Sequence, residues 1–137
     1  MRDRAVHVYR ESSRVDDFMK ICTESTTNSS RGDSALIDIG KLMNESHESC
    51  ALRYECSCPE LDELVQVCRV AGALGSRLTG AGWGGCTVSL IRSEHRQRFL
   101  EELDSKFYKP RNADSSSFVF ASAPADGAAL LMSEKEL

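Results

Sequence analysis

Residues 75–91 read GSRLTGAGWGGCTVSLI, and their composition is the most informative feature of the sequence. Its two ends, 75–79 and 86–91, have the composition of β-strands, and the six residues between them contain four glycines. Glycine loses more conformational freedom on folding than any other residue, so this density is unfavourable unless the backbone needs positive φ angles or close approach to another group. The stretch therefore predicts two strands joined by a loop whose backbone comes close to something.

A loop without Cβ atoms can present successive N–H groups as a concave nest for an anion such as a nucleotide phosphate. Gly80, Gly82 and Gly85 satisfy G-x-G-x-x-G, but a strand follows where the dinucleotide fingerprint requires a helix. The P-loop is excluded because no Lys-Ser or Lys-Thr follows, and the protein-kinase loop because Thr87 stands where valine is needed. From spacing alone, an anion-binding loop and a hairpin turn that binds nothing both remain open.

Three helical patterns precede the loop. The first runs from Asp3 to about Cys22, and its apolar residues Val15, Phe18, Met19 and Cys22 recur at helical spacing, which predicts a buried stripe. Residues 23–32 have no apolar side chain and predict a solvated connection.

A second helix is predicted from a cap at Asp33 or Ser34 to about Tyr54. A third begins at Ser57-Cys58-Pro59-Glu60, which has the form of a capping box, and ends at Gly72. The apolar faces predicted to be buried are Leu36, Ile39, Leu42, Met43 and Cys50 in the second helix, and Leu61, Leu64, Val65 and Cys68 in the third.

After the loop, Ser93 caps a fourth helix that Pro110 closes, and two further strands are predicted at 118–121 and 128–131. The stripe predicted to be buried in this helix is Phe99, Leu100, Leu103 and Phe107. The order of elements predicts an α+β fold, an antiparallel four-stranded sheet with helices on one side. We expect one domain over residues 1–132 and a frayed tail at 133–137.

Composition sets the class of protein. The chain has 137 residues, a net charge of −4 and 41% hydrophobic residues, which is typical of one globular domain. The acidic balance gives no overall attraction for nucleic acid or anionic membranes. Because neither a signal sequence nor an apolar run of membrane-spanning length is seen, we expect a cytoplasmic location and six reduced cysteines.

Other chemistry-bearing residues favour structural roles. Cys56 and Cys58 form the only closely spaced cysteine pair, so no structural metal site is predicted. His7 and His47 lie within predicted helices and are interpreted as hydrogen-bonded structural histidines. The carboxylates near 60–63 lie in the first turn of a helix, where they complement the helix dipole, and are not interpreted as metal ligands.

At this point the residues show a resemblance. Residues 77–86, RLTGAGWGGC, resemble the third signature motif of the GHMP sugar kinases, and most of all that of galactokinases and N-acetylgalactosamine kinase. Three more segments are similar to galactokinase segments in the same order: RAVHV at 4–8 followed by Glu11, LMNESH at 42–47, and YECSCPELD at 54–62. Trp83 and residues 54–60 are more similar to the N-acetylgalactosamine kinase branch. The resemblance covers about residues 1–131.

The resemblance implies transfer of the γ-phosphoryl group of ATP, with Mg²⁺, to the anomeric hydroxyl of galactose or N-acetylgalactosamine. It also implies that this chain corresponds only to the C-terminal part of such a kinase. The sugar-recognition signature, the ATP phosphate loop and the segment with the catalytic Asp are absent, so no catalytic residue is expected here. The partners implied are the sugar, ATP and an N-terminal kinase domain. A supporting role in the cleft is implied for Thr79, Gly80, Gly82, Gly84 and Gly85.

We expect the chain alone to be inactive. Two other hypotheses remain open: a non-catalytic galactose or nucleotide sensor, since some transcriptional regulators share the galactokinase fold, and a folding or interaction module.

Overall fold

The computed structural model describes residues 1–123. Four α-helices and two strands follow one another along this part of the chain, in the order that the sequence predicts. They are α1 (Arg2–Thr27), α2 (Gly32–Ser49), α3 (Pro59–Val70), β1 (Gly75–Thr79), β2 (Cys86–Leu90) and α4 (Arg96–Leu103). A π-helical turn at Cys50–Tyr54 continues α2, and another at Asp104–Tyr108 continues α4.

The two strands form an antiparallel pair whose register runs from Gly75 opposite Leu90 to Thr79 opposite Cys86. Helices and sheet bury two apolar clusters. One consists of Cys50, Cys56, Leu61 and Leu78, and the other of Cys68, Phe99, Leu103 and Phe107. The α+β class, the third helix and the strand–loop–strand are therefore confirmed.

Helix α2 lies directly against β1, backbone to backbone. A Cβ atom added at Gly40 would lie 2.3 Å from the carbonyl oxygen of Leu74, and one added at Gly75 would lie 2.3 Å from that of Gly40. Real Cβ atoms essentially never come this close to another heavy atom. The contact is possible because both residues are glycines, and it sets the distance between α2 and β1.

Two more residues on the same face of α2 satisfy the backbone of β1. Asn44 Oδ1 accepts the N–H of Ser76 at 3.0 Å, and His47 Nδ1 accepts the N–H of Leu78 at 3.3 Å. Since N–H groups of alternate residues point to the same side of a strand, these side chains occupy one edge of β1. Gly40, Asn44 and His47 follow one another at i, i+4 and i+7, which places them on one face of the helix.

His47 is held as a neutral imidazole. Its side chain is 6% exposed, and Nε2 lies 3.2 Å from Asp62 Oδ1 at the start of α3. Because Nδ1 accepts a hydrogen bond, the proton sits on Nε2 and points at Asp62. Burial lowers the pKa of His47 below its usual 6.5, and Arg69 adds to this, against the opposing effect of Asp62.

The structure corrects the prediction for α1. The helix continues to Thr27, so the predicted connection at 23–32 is mostly helical, with a 3₁₀ turn at Ser29–Arg31. The predicted buried stripe is wrong, because Val15 and Met19 are 58% and 63% exposed. The face that meets α2 is instead polar and contains His7 and Glu11.

Helix α2 also buries a different face from the one predicted. Its buried residues are Ala35, Gly40, Ser46, His47 and Ser49, whereas Leu36, Ile39, Leu42 and Met43 are only partly buried. The physical reason is that α2 lies between α1 and β1, where close backbone approach requires small side chains. Cys50, at the following turn, is buried as predicted.

The capping box at the start of α3 does not form. Cys58 is the N-cap residue, and no side chain caps the helix. Ser57 therefore lies one residue too early, and its hydroxyl donates to the carboxylate of Asp62. Glu60 and Asp62 do lie in the first turn of the helix, as predicted.

The predicted strand at 118–121 is not formed, since this segment is a turn followed by irregular backbone. The N–H groups of Phe118 and Val119 both donate to the carbonyl of Ser115, at 3.0 and 2.9 Å. The Phe118 ring also stacks on Tyr108, with centroids 6.0 Å apart. The other predicted strand, 128–131, and the tail at 133–137 lie outside the described residues, so a four-stranded sheet is not confirmed.

None of the helices in the described part of the chain is both long enough and apolar enough to cross a membrane.

Gly40→Ala should destabilise the chain by about 3 kcal/mol, because the new methyl group meets backbone that has no free space to move into. Denaturant unfolding monitored by circular dichroism measures the loss. Gly32→Ala is the matched control, since it lies at the start of the same helix with nothing within 4 Å of its added Cβ. It should be neutral or stabilising by up to about 1 kcal/mol. Equal effects of the two substitutions would contradict the contact.

The free energy of unfolding should fall as the pH drops below about 6.5, because of His47. The folded pKa lies below 6.5, so the unfolded chain takes up the proton first and acid favours unfolding. His47→Asn keeps an acceptor for Leu78 N–H but cannot titrate, so its unfolding should depend less steeply on pH. Parallel pH profiles for the two proteins would show that His47 is not the titrating group.

Candidate functional site

The glycine loop, residues Thr79–Cys86, connects two paired strands and turns almost entirely in left-handed conformations. The φ angles are +83° at Gly80, +86° at Gly82, +137° at Gly84 and +89° at Gly85. L-residues with a Cβ adopt this region only with strain. The glycine density noted in the sequence is thus explained by the backbone path itself.

One side of the loop is held by its own chain. A Cβ added at Gly82 would lie 2.1 Å from the carbonyl oxygen of Cys56, in the segment between α2 and α3. The same carbonyl accepts the backbone N–H of Trp83 at 2.7 Å, and the Trp83 indole N–H donates to the carbonyl of Glu55 at 3.1 Å. We call these two hydrogen bonds the Trp83 clamp.

The Trp83 clamp joins two strained residues. Trp83 has φ +53° and Glu55 has φ +60°, both unusual for residues other than glycine. Behind the indole lies Tyr54, with ring centroids 6.5 Å apart, and His7 of α1 lies 4.8 Å from the Tyr54 ring. Arg4 donates to the carbonyl of Tyr54 and pairs with Glu55 at 2.6 Å, so α1 also supports the segment.

The other side of the loop is open. Nothing lies within 4 Å of a Cβ built at Gly80, Gly84 or Gly85, and Trp83 itself is 62% exposed. The close approach predicted for this backbone is therefore made within the chain at Gly82, while the other three glycines face free space.

The five predicted site residues do come together, because Thr79 is the last residue of β1 and the four glycines follow within the loop. What the sequence did not reveal is the role of Glu55, Cys56 and Trp83 in fixing the loop. In the sequence, Glu55 is marked only by the resemblance of residues 54–62 and Cys56 otherwise only by its spacing from Cys58, and a left-handed glutamate has no sequence signature.

The remaining candidates lie elsewhere. His7 donates to or accepts from Ser49 Oγ at 2.9 Å, and His47 bridges Leu78 and Asp62, so both histidines are hydrogen-bonded within the fold. His47 does have a carboxylate partner, which sequence reasoning missed because Asp62 is on another helix.

All six cysteines are free thiols, as predicted. Burial raises the pKa of Cys50 to about 11, with Cys56 adding to the effect, and burial also raises the pKa of Cys68. These thiols are therefore protonated at neutral pH and are poor nucleophiles. Cys86, at the end of the glycine loop, is the exposed cysteine.

A groove of about 660 Å³ between α1 and the end of α2 is lined by residues of both charge signs, including Asp3, Arg14 and Glu48, and by no residue of the glycine loop. Within residues 1–123, no group of three or more His, Cys, Asp or Glu side chains is arranged to hold a metal ion.

Residues 33–109 match the family of GHMP kinases C terminal. This stretch runs from the start of α2 to the end of α4 and its π-helical turn, and includes the whole glycine loop. The chain belongs to the GHMP kinase C-terminal family.

Several galactokinases are similar to this chain. A galactokinase from Dictyostelium discoideum is 44% identical over 95% of this chain and 29% of its own length, and one from Saccharomyces cerevisiae is 41% identical over 93% of this chain and 25% of its own length. The chain thus spans less than a third of the length of these relatives.

Solved structures of two kinases are also similar to this chain. Lactococcus lactis galactokinase complexed with galactose matches with a TM-score of 0.66 and 30% identity, over 80% of this chain and 26% of that one. L. major mevalonate kinase in complex with R-mevalonate matches with a TM-score of 0.50 and 32% identity, over 72% of this chain and 29% of that one.

Gly80 and Gly82 have nearly the same φ, so alanine substitutions separate backbone strain from the contact with Cys56. Gly80→Ala should cost about 1–2 kcal/mol of unfolding free energy through strain alone. Gly82→Ala should cost about 1–3 kcal/mol more because its methyl group meets the Cys56 carbonyl. Denaturant unfolding measures both losses.

Trp83, the single tryptophan, reports directly on the clamp through its fluorescence and its quenching by acrylamide. Gly82→Ala should change both signals, and Gly80→Ala should leave them close to those of the unmodified chain. Identical spectra and stabilities for the two variants would mean that the Cys56 contact does not fix the loop.

Proposed function

We propose that this chain is the C-terminal part of a sugar kinase that transfers the γ-phosphoryl group of ATP, with Mg²⁺, to the anomeric hydroxyl of galactose or N-acetylgalactosamine. The observation that carries the proposal is the two-sided glycine loop: Gly82 is fixed against Cys56, whereas Gly80, Gly84 and Gly85 face open space. Such a loop is held in place where it contacts its own chain, and it has no side chains on the side proposed to face the substrate.

The loop's chemistry suits phosphoryl transfer. This reaction depends mainly on positioning and on electrostatic stabilisation of charge spread over the phosphoryl oxygens. A backbone without Cβ atoms can bring N–H dipoles close to such a group. The open space above Gly80, Gly84 and Gly85 would be filled by side chains at those positions, so the residues present fit an ATP phosphate.

In this proposal Thr79 and the four glycines support the cleft, and the Trp83 clamp positions them. ATP supplies the transferred group. The catalytic base, the main ATP-binding loop and the Mg²⁺ ligands belong to the part of the kinase outside this chain, which makes up about 70% of the length of the relatives. The chain alone is therefore proposed to be inactive, and its cytoplasmic location remains a prediction.

The choice of sugar is proposed from two observations. The relatives are named galactokinases, and the L. lactis structure contains galactose, which favours galactose. Trp83 and the 54–60 run resemble the N-acetylgalactosamine kinase branch, so both sugars belong in the test.

A chimera tests the function directly. Replacing the matched 29% of the D. discoideum galactokinase with this chain gives a full-length enzyme that should phosphorylate galactose or N-acetylgalactosamine with Mg-ATP, while the chain alone shows no turnover. In the chimera, Gly80→Ala should lower kcat/KM by about 10- to 100-fold, because its methyl group occupies the space proposed for substrate.

Gly32→Ala, which lies at the start of α2 and away from the loop, is the control and should leave kcat/KM unchanged. Turnover by the isolated chain would refute its proposed inactivity. A folded chimera that binds galactose without phosphorylating it would favour the sensor hypothesis over the kinase.

A further inference from the structure

Helix α1 carries a mostly apolar seam that residues 1–123 leave largely uncovered. Its residues alternate in spacing of three and four, the pattern by which one helix face packs along another. We call this face the outer seam, and it consists of Ala5, Val8, Ser12, Val15, Met19 and Cys22. Val8, Val15 and Met19 are 57%, 58% and 63% exposed.

The fold of the described chain does not use the outer seam. Helix α1 meets α2 through another face, about a quarter of a turn away around the helix. On that face His7 bonds to Ser49, and Glu11 accepts the hydroxyl of Ser46 at 2.7 Å. Folding normally buries apolar surface and leaves polar surface exposed. In α1 the polar face contacts α2 and the apolar stripe is exposed, so we expect a partner outside the described chain to cover the stripe.

We infer that the outer seam is a docking surface for the part of the parent kinase that this chain lacks, with an apolar face of that part lying along α1. The inference rests on the proposed function, which makes the chain one portion of a longer kinase. The relatives are more than three times as long as the chain, so a partner of sufficient size is available.

The position of the seam supports the same partner. At its first residues, α1 is tied to the glycine loop through Arg4, which pairs with Glu55, and through His7, whose ring lies against Tyr54. Glu55 and Tyr54 are the residues behind Trp83. A body that covers the open side of the loop is thus close to the beginning of the seam.

A second copy of the chain is a poorer occupant. Stable interfaces between separate proteins use about 20–30 residues on each side, far more than six positions on one helix. A covalently linked partner has a high effective concentration and forms a stable contact with a smaller surface. The missing part of the kinase satisfies this condition, whereas a free copy does not.

The experiment compares one substitution in two contexts: this chain alone and the chimera with the D. discoideum galactokinase. Val15→Glu should leave the melting temperature of the isolated chain within about 2 °C and lower that of the chimera by about 5 °C or more. Ser13→Glu introduces the same charge at an exposed position on the opposite side of α1 from Val15, beside the groove with α2, and should have the same effect on both proteins. Equal effects of Val15→Glu in both contexts would overturn the inference.

A second variant measures directly whether the outer seam is accessible to solvent, and this measurement does not depend on stability. Met19→Cys should be alkylated at least about 10-fold more slowly in the chimera than in the isolated chain, as followed by peptide mass spectrometry. Equal rates would overturn the inference. An isolated chain that forms dimers in sedimentation, and reverts to monomers with Val15→Glu, would assign the seam to a second copy instead.

The activity of the chimera separates this inference from the proposed function. A chimera that phosphorylates the sugar but shows no protection at position 19 refutes the docking surface alone. A chimera that protects position 19 and is destabilised by Val15→Glu, yet transfers no phosphoryl group, supports the docking surface and refutes the kinase function.

Discussion

The contact of Gly40 with Gly75 holds helix α2 against strand β1 and sets the positions of the other elements. It brings α2 close enough to β1 for Asn44 and His47 to bond to the backbone of the strand. His47 in turn reaches Asp62 and so links α3 to the same strand. With a larger residue at either glycine, the helix would move outward and these side chains would lose their reach, since each bond tolerates only a few tenths of an ångström.

The same contact determines where the glycine loop finds support. Helix α2 continues through the π-helical turn at Cys50–Tyr54 into Glu55, whose left-handed conformation turns the chain toward the loop. The next carbonyl, that of Cys56, is the one on which Gly82 and Trp83 rest. Support of the loop therefore begins at the contact between Gly40 and Gly75, and the packing of α2 against β1 determines the geometry of the site.

Sequence patterns revealed the elements better than their faces. The glycine density between two β-like segments predicts strand, loop and strand because only a special backbone path needs it, and the structure has that path. The stripe of Val15 and Met19 was predicted to be buried, on the assumption that the chain covers its own apolar residues, and it is exposed. The buried face of α2 is not predicted, because hydrophobic periodicity does not detect a face that consists of small and polar residues such as Gly40, Ser46 and His47. The Trp83 clamp depends on Glu55 being left-handed, which no local pattern indicates.

The Trp83 clamp combines backbone strain with hydrogen bonds of similar energy. Left-handed backbone costs about 1–2 kcal/mol at each of Glu55 and Trp83. Two hydrogen bonds return about 0.5–1.5 kcal/mol each, and the exposed indole gains little from partial burial. The strain of about 2–4 kcal/mol is at least as large as the return of about 1–3 kcal/mol, so the clamp by itself adds little stability to the loop. A partner that covers Trp83 excludes water from both bonds and strengthens them, because hydrogen bonds are stronger in a medium of low dielectric constant. In the proposed kinase, the loop is then most rigid when the cleft is assembled around ATP and the sugar, which is the state in which positioning accelerates phosphoryl transfer.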